Sequence, residues 1–379
     1  MFKKIILLST ILFGFSHATI GLANTPTSNL IPPSNTKRYV PLLKTSINFI
    51  GLGALEIGRD WGVGKREVRK HPDNEVAEAT LTAAVNSGVT LIDTANAYHL
   101  SQQRVGEYLA HSGKRSELII ESKVGNYSLV ATDKRCKLPS SDGIYCNSPA
   151  AAYDFSATAV TKDVNVSLAQ LQTSYLDIVY LHMGDTPKEV LEDKQALAAL
   201  QQLKKQGKIR HIGISVDDPK VAIQAINSGD FDAIQLEYNL LNQSNAEAIA
   251  LAHSKGMAVI VRGGLATGLL TPHVAPFLND PDLPYREQIH ALLDLTHHNY
   301  QELMALELAF LYSNPNISAV IIGASNPEQL KQDMSLLDQF NNPQLLAQAT
   351  QLMSHYKTSK FTDSVDAYFA KKQQGGLPS

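Results

Sequence analysis

Little in this sequence speaks for metal, nucleic acid or membrane. Its twelve histidines fall without a metal-binding spacing such as H-E-x-x-H, which argues against a metalloenzyme. Lysine and arginine number 33 against 36 acidic residues, a formal net charge of −3 at pH 7. That balance gives no electrostatic reason to expect a nucleic-acid partner and favours a small molecule instead. No G-x-G-x-x-G joins a strand to a helix, which weakens an open dinucleotide-binding sheet. Beyond the first residues no further long apolar span occurs, so no stable membrane insertion of the mature chain is expected. Cysteine is nearly absent. Its two copies, Cys136 and Cys146, lie in CKLPSSDGIYC, a close pair that favours a disulfide in an exported protein and two free thiols in the cytosol.

The start of the chain bears on that choice. MFKKIILLSTILFGFSHATIGLAN has basic Lys3 and Lys4, an apolar stretch from Ile5 to Phe15, and the small-residue segment Gly21-Leu22-Ala23. The pattern reads as a signal peptide over residues 1–23, cut after Ala23, which implies export, in a bacterium to the periplasm. The apolar run is shorter than the roughly 18 residues that a spanning helix needs, and Ser16 and His17 interrupt it. Residues 24–46, rich in Pro, Ser, Thr and Asn, read as a tether, and residues 361–379 as a C-terminal tail.

Between them runs a repeated rhythm. Eight short apolar or β-branched runs occur in order: INFIGLG from Ile47, VTLID from Val89, ELIIESK from Glu117, LDIVYLH from Leu176, RHIGIS from Arg210, DAIQLEY from Asp232, AVIVRGG from Ala258 and ISAVIIGA from Ile317. Most are continuously apolar, as parallel strands buried on both faces are. Helical patterns separate them, at about 73–87, 101–112, 157–173, 187–206, 219–227, 246–255, 288–312 and 327–340. Strand alternating with helix eight times predicts an α/β fold, a closed (β/α)8 TIM barrel forming one domain over residues 47–360. Two connections are long: about 30 residues after the third strand, including the cysteine segment, and ATGLLTPHVAPFLNDPDLPYRE after the seventh. Loops of that length at a barrel mouth act as lids or substrate walls.

Active sites of such barrels lie at the C-terminal strand ends. There the second strand carries Asp93, with Tyr98 just beyond, the third Lys123 and the fourth His182. An ordinary tyrosine, with a pKa near 10, donates poorly to a developing alkoxide unless its phenolate is stabilised. Lys123 would provide that, Asp93 would keep Lys123 charged and oriented, and His182 would hydrogen-bond the substrate oxygen. Each residue has a bland alternative: a structural ion pair, a wall aromatic, a satisfied core histidine. Four such groups at the ends of three consecutive strands favour carbonyl reduction or its reverse.

With these residues in place, the chain from about Asn48 to Met334 resembles the aldo/keto reductase family. Phe49-Ile50-Gly51-Leu52-Gly53 resembles its opening strand, and LIDTANAYHLSQQRVGEYL its D-T-A-x-x-Y-G-x-S-E segment. LIIESKVG, YLDIVYLH, IRHIGIS, IQLEYN, VIVRGGLATGLL and VIIGASNPEQLKQD follow in the family's order. The resemblance implies a catalytic tetrad of Asp93, Tyr98, Lys123 and His182, with Tyr98 as general acid. It implies that Ser215 and Gln235 hold a nicotinamide carboxamide, that Arg262 stands where many members stack a tyrosine, and that Gly264, Leu265 and Gly268 follow the cofactor phosphates. Ser325, Gln329 and Asp333 then match contacts at the adenosine end. NADP is the family expectation, with NAD as the other choice, and a small carbonyl compound or sugar is the implied substrate. The stretch from Tyr153 resembles sugar-acting members.

The chain departs from the family pattern at Val216, where asparagine usually follows the serine, at Gln102, which replaces a glutamate, and at Gly263-Gly264, which replaces Ser-Pro. Two functions follow from these features. One is a nicotinamide-dependent oxidoreductase. The other is an exported binding or accessory protein that keeps the barrel without turnover, motivated by the signal segment and Val216. No oligomeric state can be read from the sequence.

Overall fold

The computed structural model describes residues 37–63, 70–148, 152–183, 187–354, 356 and 361–375. Eight parallel strands close into a barrel: β1 Ile50–Gly53, β2 Leu91–Asp93, β3 Ile119–Val124, β4 Leu176–His182, β5 Ile209–Ser215, β6 Ala233–Glu237, β7 Ala258–Arg262 and β8 Ala319–Gly323. Each pairs with the next in sequence, and β8 returns to β1. This is the (β/α)8 architecture that the alternating pattern predicts, and the chain within it is one domain.

The helices are α1 Asn74–Asn86, α2 Ser101–Ser112, α3 Ala157–Gln170, α4 Pro187–Asp193, α5 Gln195–Lys205, α6 Pro219–Ser228, α7 Ala246–Ser254, α8 Arg286–Leu295, α9 Tyr300–Ser313, α10 Pro327–Gln339, α11 Pro343–Met353 and α12 Phe361–Gly375. Local chemistry sets several of their starts. The Asp73 side chain accepts from the Val76 amide at 2.9 Å, and Asn326 does the same for Gln329 at 2.8 Å with Pro327 in the first turn. Two stretches read as single helices are divided. Lys194 adopts a left-handed backbone between α4 and α5, and His297 and His298 do so between α8 and α9.

Both ends of the barrel domain differ from the sequence expectation. Residues 37–46 are not tether: Lys37–Val40 and Thr45–Asn48 pair antiparallel across a turn that begins at Pro41. The run INFIGLG is therefore two strands, broken at Phe49, where the Asn48 side-chain oxygen accepts from the Ile50 amide at 3.0 Å. The hairpin closes the N-terminal end of the barrel. Val40 and Ile47 pack beneath the interior residues Leu91, Ile178, Tyr180, Ile260 and Ile321. Arg38 anchors it from the side, stacked between Phe49 and Tyr312 and donating to the carbonyls of Tyr312, Asn314 and Ile317. At the other terminus, α12 replaces the expected tail through residue 375; it buries Phe361, Val365, Tyr368 and Phe369. The signal segment and most of the tether lie outside the described residues.

The connection after β3 is a small folded unit. Asn126–Tyr127 pairs with Ala152–Tyr153, and Leu138–Pro139 with Cys146–Ser148. Cys136 and Cys146 stand at bonding distance, S–S 2.03 Å. Asp60, in the loop after β1, fastens this unit: it accepts from the Ser141 amide and hydroxyl at 2.8 and 2.7 Å and from Asn147 at 3.0 Å. His71 joins the same clasp, 3.0 Å from Asp142. The loops after β1 and β3 thus cover one side of the barrel mouth together.

Candidate active site

Strand register brings the candidate residues to one rim. Gly53 pairs with Asp93, Tyr180 with Lys123, His182 with Ser215, Ser215 with Gln235, and Glu237 with Arg262. Beyond β2 the chain turns back on itself, with the Tyr98 amide donating to the Ala95 carbonyl at 3.1 Å. The turn is held from outside: Arg59 donates to the Ala97 carbonyl at 3.1 Å, and Ser101 to the Ala54 carbonyl at 2.7 Å. Gly58 permits this closeness, since a Cβ there would lie 2.2 Å from the Ser101 amide nitrogen.

Lys123 is fully buried and Asp93 nearly so, and the Lys123 ammonium lies 2.6 Å from both Asp93 carboxylate oxygens. It also donates to the Thr94 carbonyl at 3.1 Å and sits 4.7 Å from the centre of the Tyr98 ring. Burial pulls the Lys123 pKa down, but Asp93 and Tyr98 outweigh it, and the net shift is upward, so the ammonium stays charged. His182 faces Tyr98 edge-on, ring centres 6.2 Å apart and planes perpendicular. Burial first, then the charges of Lys123, Arg262 and Arg59, drive its pKa well below the ordinary imidazole value. A neutral ring there keeps one N–H to donate.

Ser215 and Gln235 form one chain with this group. Ser215 Oγ donates to Gln235 Oε1 at 3.2 Å, and Gln235 Nε2 donates to Asp93 Oδ1 at 2.8 Å. Arg262 stands at the end of β7 in an ion pair with Asp217, and burial, opposed by Asp217, Glu237 and Tyr98, leaves its pKa raised. Gly264 packs against Val320 and Leu311, Leu265 precedes the short 3-10 turn Ala266–Gly268, and Gly268 has φ +97°. Ser325 donates through its amide and hydroxyl to Gln329 Oε1, both at 3.1 Å. Asp333 is buried, and its Oδ2 has no partner among the described residues. Burial and the neighbouring Glu56 push Asp333 up to about 7, and burial alone raises Glu56 to about 7.

Two of the departures have defined surroundings. Val216 is buried, and its amide donates to the Gln235 carbonyl at 3.0 Å. Gln102 spans α2 and its neighbours by donating to Ser122 at 2.7 Å and Ser167 at 2.9 Å. Among the described residues no group of His, Cys, Asp and Glu is arranged to hold a metal ion.

Three neighbours of the site escape the sequence reading: Asp217, Glu56 and Glu121. The first two approach through loops. Glu121 had a signal, since it precedes Lys123 by two positions in a strand and so points to the same face.

The family described as "Aldo/keto reductase family" matches residues 49–345 of the chain. The NADH-specific methylglyoxal reductase of Escherichia coli is 26% identical over 323 residues, covering 79% of this chain and 94% of that protein. The L-galactose dehydrogenase of Arabidopsis thaliana is 26% identical over 307 residues, covering 78% and 86%. Among solved structures, the glycerol dehydrogenase of Gluconobacter oxydans matches with TM-score 0.64 at 24% identity, over 86% of this chain and 97% of that one. An aldo-keto reductase of Bacillus halodurans matches with TM-score 0.63 at 23% identity, over 85% and 96%.

Proposed function

The chain belongs to the aldo/keto reductase family, and from that premise we propose that it interconverts a small carbonyl compound and its alcohol, with Tyr98 as the general acid and base. The observation that carries this reading is the Asp93–Lys123 pair, sealed at the mouth with its ammonium against the Tyr98 ring. In the reducing direction Tyr98 gives its phenolic proton to the substrate oxygen. The phenolate left behind faces a fixed cation, which lowers the barrier for that transfer. Neutral His182, edge-on to Tyr98, orients the same oxygen by hydrogen bonding. Asp93 holds Lys123 in place, and Gln235 holds Asp93.

A nicotinamide dinucleotide, when bound, supplies or accepts the hydride. The side chains present fit such a group. Gln235 and Ser215 offer amide and hydroxyl partners for a carboxamide, Arg262 a planar cation at the rim, and Ser325, Gln329 and the unpartnered Asp333 oxygen a polar set for the far end. Family resemblance favours NADP(H). Ser325 and Gln329, uncharged and bonded to each other at 3.1 Å, offer the 2′-phosphate of NADP(H) no cation, which supports NAD(H) as the other choice. We propose an aldehyde, ketone or aldose as substrate and export of the mature chain after cleavage at Ala23. The test is titration of the purified mature protein with NADPH and NADH, followed by a panel of aldehydes, ketones and aldoses. Binding of neither dinucleotide at sub-millimolar concentration contradicts the reading.

A further inference from the structure

One layer beneath Lys123 lies a carboxyl that the proposed reaction does not use. Along β3 the side chains of Ile119, Glu121 and Lys123 alternate onto the barrel interior. Glu121 is completely buried, one layer below Lys123, and its backbone pairs with Asp93 on β2 and Ile178 on β4. One oxygen accepts a hydrogen bond from the Tyr180 hydroxyl at 2.7 Å; the other has no partner among the described residues. Tyr180 reaches it because β5 has glycine at the crossing point. A Cβ on Gly213 would lie 2.4 Å from the Tyr180 ring.

An acid in that position is not needed for packing. Tyr180 already fills the interior, and an unpartnered buried carboxyl oxygen destabilises the fold. The ionisable and charged groups facing it are Asp93 from β2, Lys123 from its own strand, and Tyr180 and Asp177 from β4. Asp177 is itself occupied, bridging Arg115 and Arg210 at 2.9 and 2.7 Å. Lys123 is therefore the cation through which Glu121 communicates with the mouth.

We propose that Glu121 is a positioning residue for the reaction: set under Lys123 by Tyr180, its carboxyl governs how the Asp93–Lys123 pair supports Tyr98. This role rests on the oxidoreductase reading above. While Glu121 is neutral, Asp93 and Lys123 balance each other and the three side chains together carry no net charge. When Glu121 ionises, a second carboxylate competes for the same ammonium, and the extra negative charge opposes formation of the Tyr98 phenolate. Proton donation to the substrate then weakens. Burial, reinforced by Asp93, raises Glu121 to about 8, so this change falls at the alkaline edge of the neutral range.

The test compares wild type, Glu121→Gln and Tyr180→Phe by two measurements on the full mature chain. The first is the infrared spectrum of the protein without dinucleotide as pH is raised. A band of a buried protonated carboxylic acid, bleaching near pH 8 in wild type and missing in Glu121→Gln, is expected. The second is the pH profile of kcat/KM for carbonyl reduction. The alkaline limb should move up by about one unit or more in Glu121→Gln, with activity at pH 7 retained within about threefold. Tyr180→Phe removes the donor that favours the ionised form and should shift both band and limb in the same direction, which keeps the test decisive if Glu121→Gln does not fold. Superimposable profiles, or no infrared difference, overturn the proposal. An infrared difference without turnover of any carbonyl overturns the oxidoreductase reading, and this role with it.

Discussion

Gln235 reaches across the barrel mouth to Asp93: its side-chain nitrogen donates to the carboxylate at 2.8 Å, joining residues 142 positions apart in the chain. Through Ser215, which donates to the same side chain at 3.2 Å, the residues proposed to meet a carboxamide and those proposed to move a proton become one network. Gln235→Leu should therefore affect both. Loss of a hydrogen bond to a charged group is worth about 1.5–3 kcal/mol, so kcat should fall roughly tenfold or more while dinucleotide Kd rises. Ser215→Ala should weaken Kd and leave kcat within about threefold. Equilibrium titration alongside steady-state kinetics distinguishes the two patterns.

Lys123→Met should be severely destabilising because it leaves the Asp93 carboxylate buried without its cation. Removal of one partner of a buried pair costs about 3–5 kcal/mol. Denaturant unfolding should show a loss of that order, whereas substitution of exposed Lys371, which pairs with Asp282 at the surface, should change stability by less than about 1 kcal/mol.

Acid should weaken the mouth through His99. Its ring is buried against Tyr145, centroids 4.7 Å apart and nearly parallel, and burial, with the charge of Arg59, holds its pKa down to about 3. The unfolded chain takes up this proton near pH 6.5 and the folded chain does not until about 3. Its contribution to stability is therefore full above pH 6.5 and is lost as pH falls towards 3. His99→Phe preserves a ring for stacking, and its melting temperature should fall less between pH 7 and pH 4.5 than that of wild type.

The Cys136–Cys146 pair should be bridged in exported protein. Intact mass without reductant should then be lower by two hydrogens than the reduced chain. Closing so short a loop is worth about 3 kcal/mol or less in the chain-entropy account. Reduction should lower the melting temperature and, because Tyr145 adjoins Cys146 and stacks on His99, beside Tyr98, it should also slow turnover.

Much of this arrangement is legible along the chain because it depends on local order. Continuous apolar runs predict buried parallel strands, and a residue at a strand end must lie at the rim, which is how Asp93, Lys123 and His182 come to meet. The hairpin over residues 37–48 is less legible, since Pro, Ser and Thr dominate its neighbourhood and its apolar side chains, Val40 and Ile47, gain their burial only from a closed barrel. In α12 the spacing of Phe361, Val365, Tyr368 and Phe369 does follow helical periodicity, yet the surrounding polar residues resemble a tail. The Asp60 clasp and the Gln235–Asp93 bond join residues distant in sequence, and no local pattern encodes them.

Single-turnover reduction of a small aldehyde by enzyme saturated with the dinucleotide it binds most tightly, wild type against Tyr98→Phe, tests the central claim most directly. Wild type should oxidise the dinucleotide in step with alcohol formation. Tyr98→Phe should bind the same dinucleotide within about twofold and lose roughly 10²–10⁴ in rate, the usual worth of a positioned general acid. A variant that retains most of the wild-type rate would contradict the assignment of Tyr98 and the account built on it.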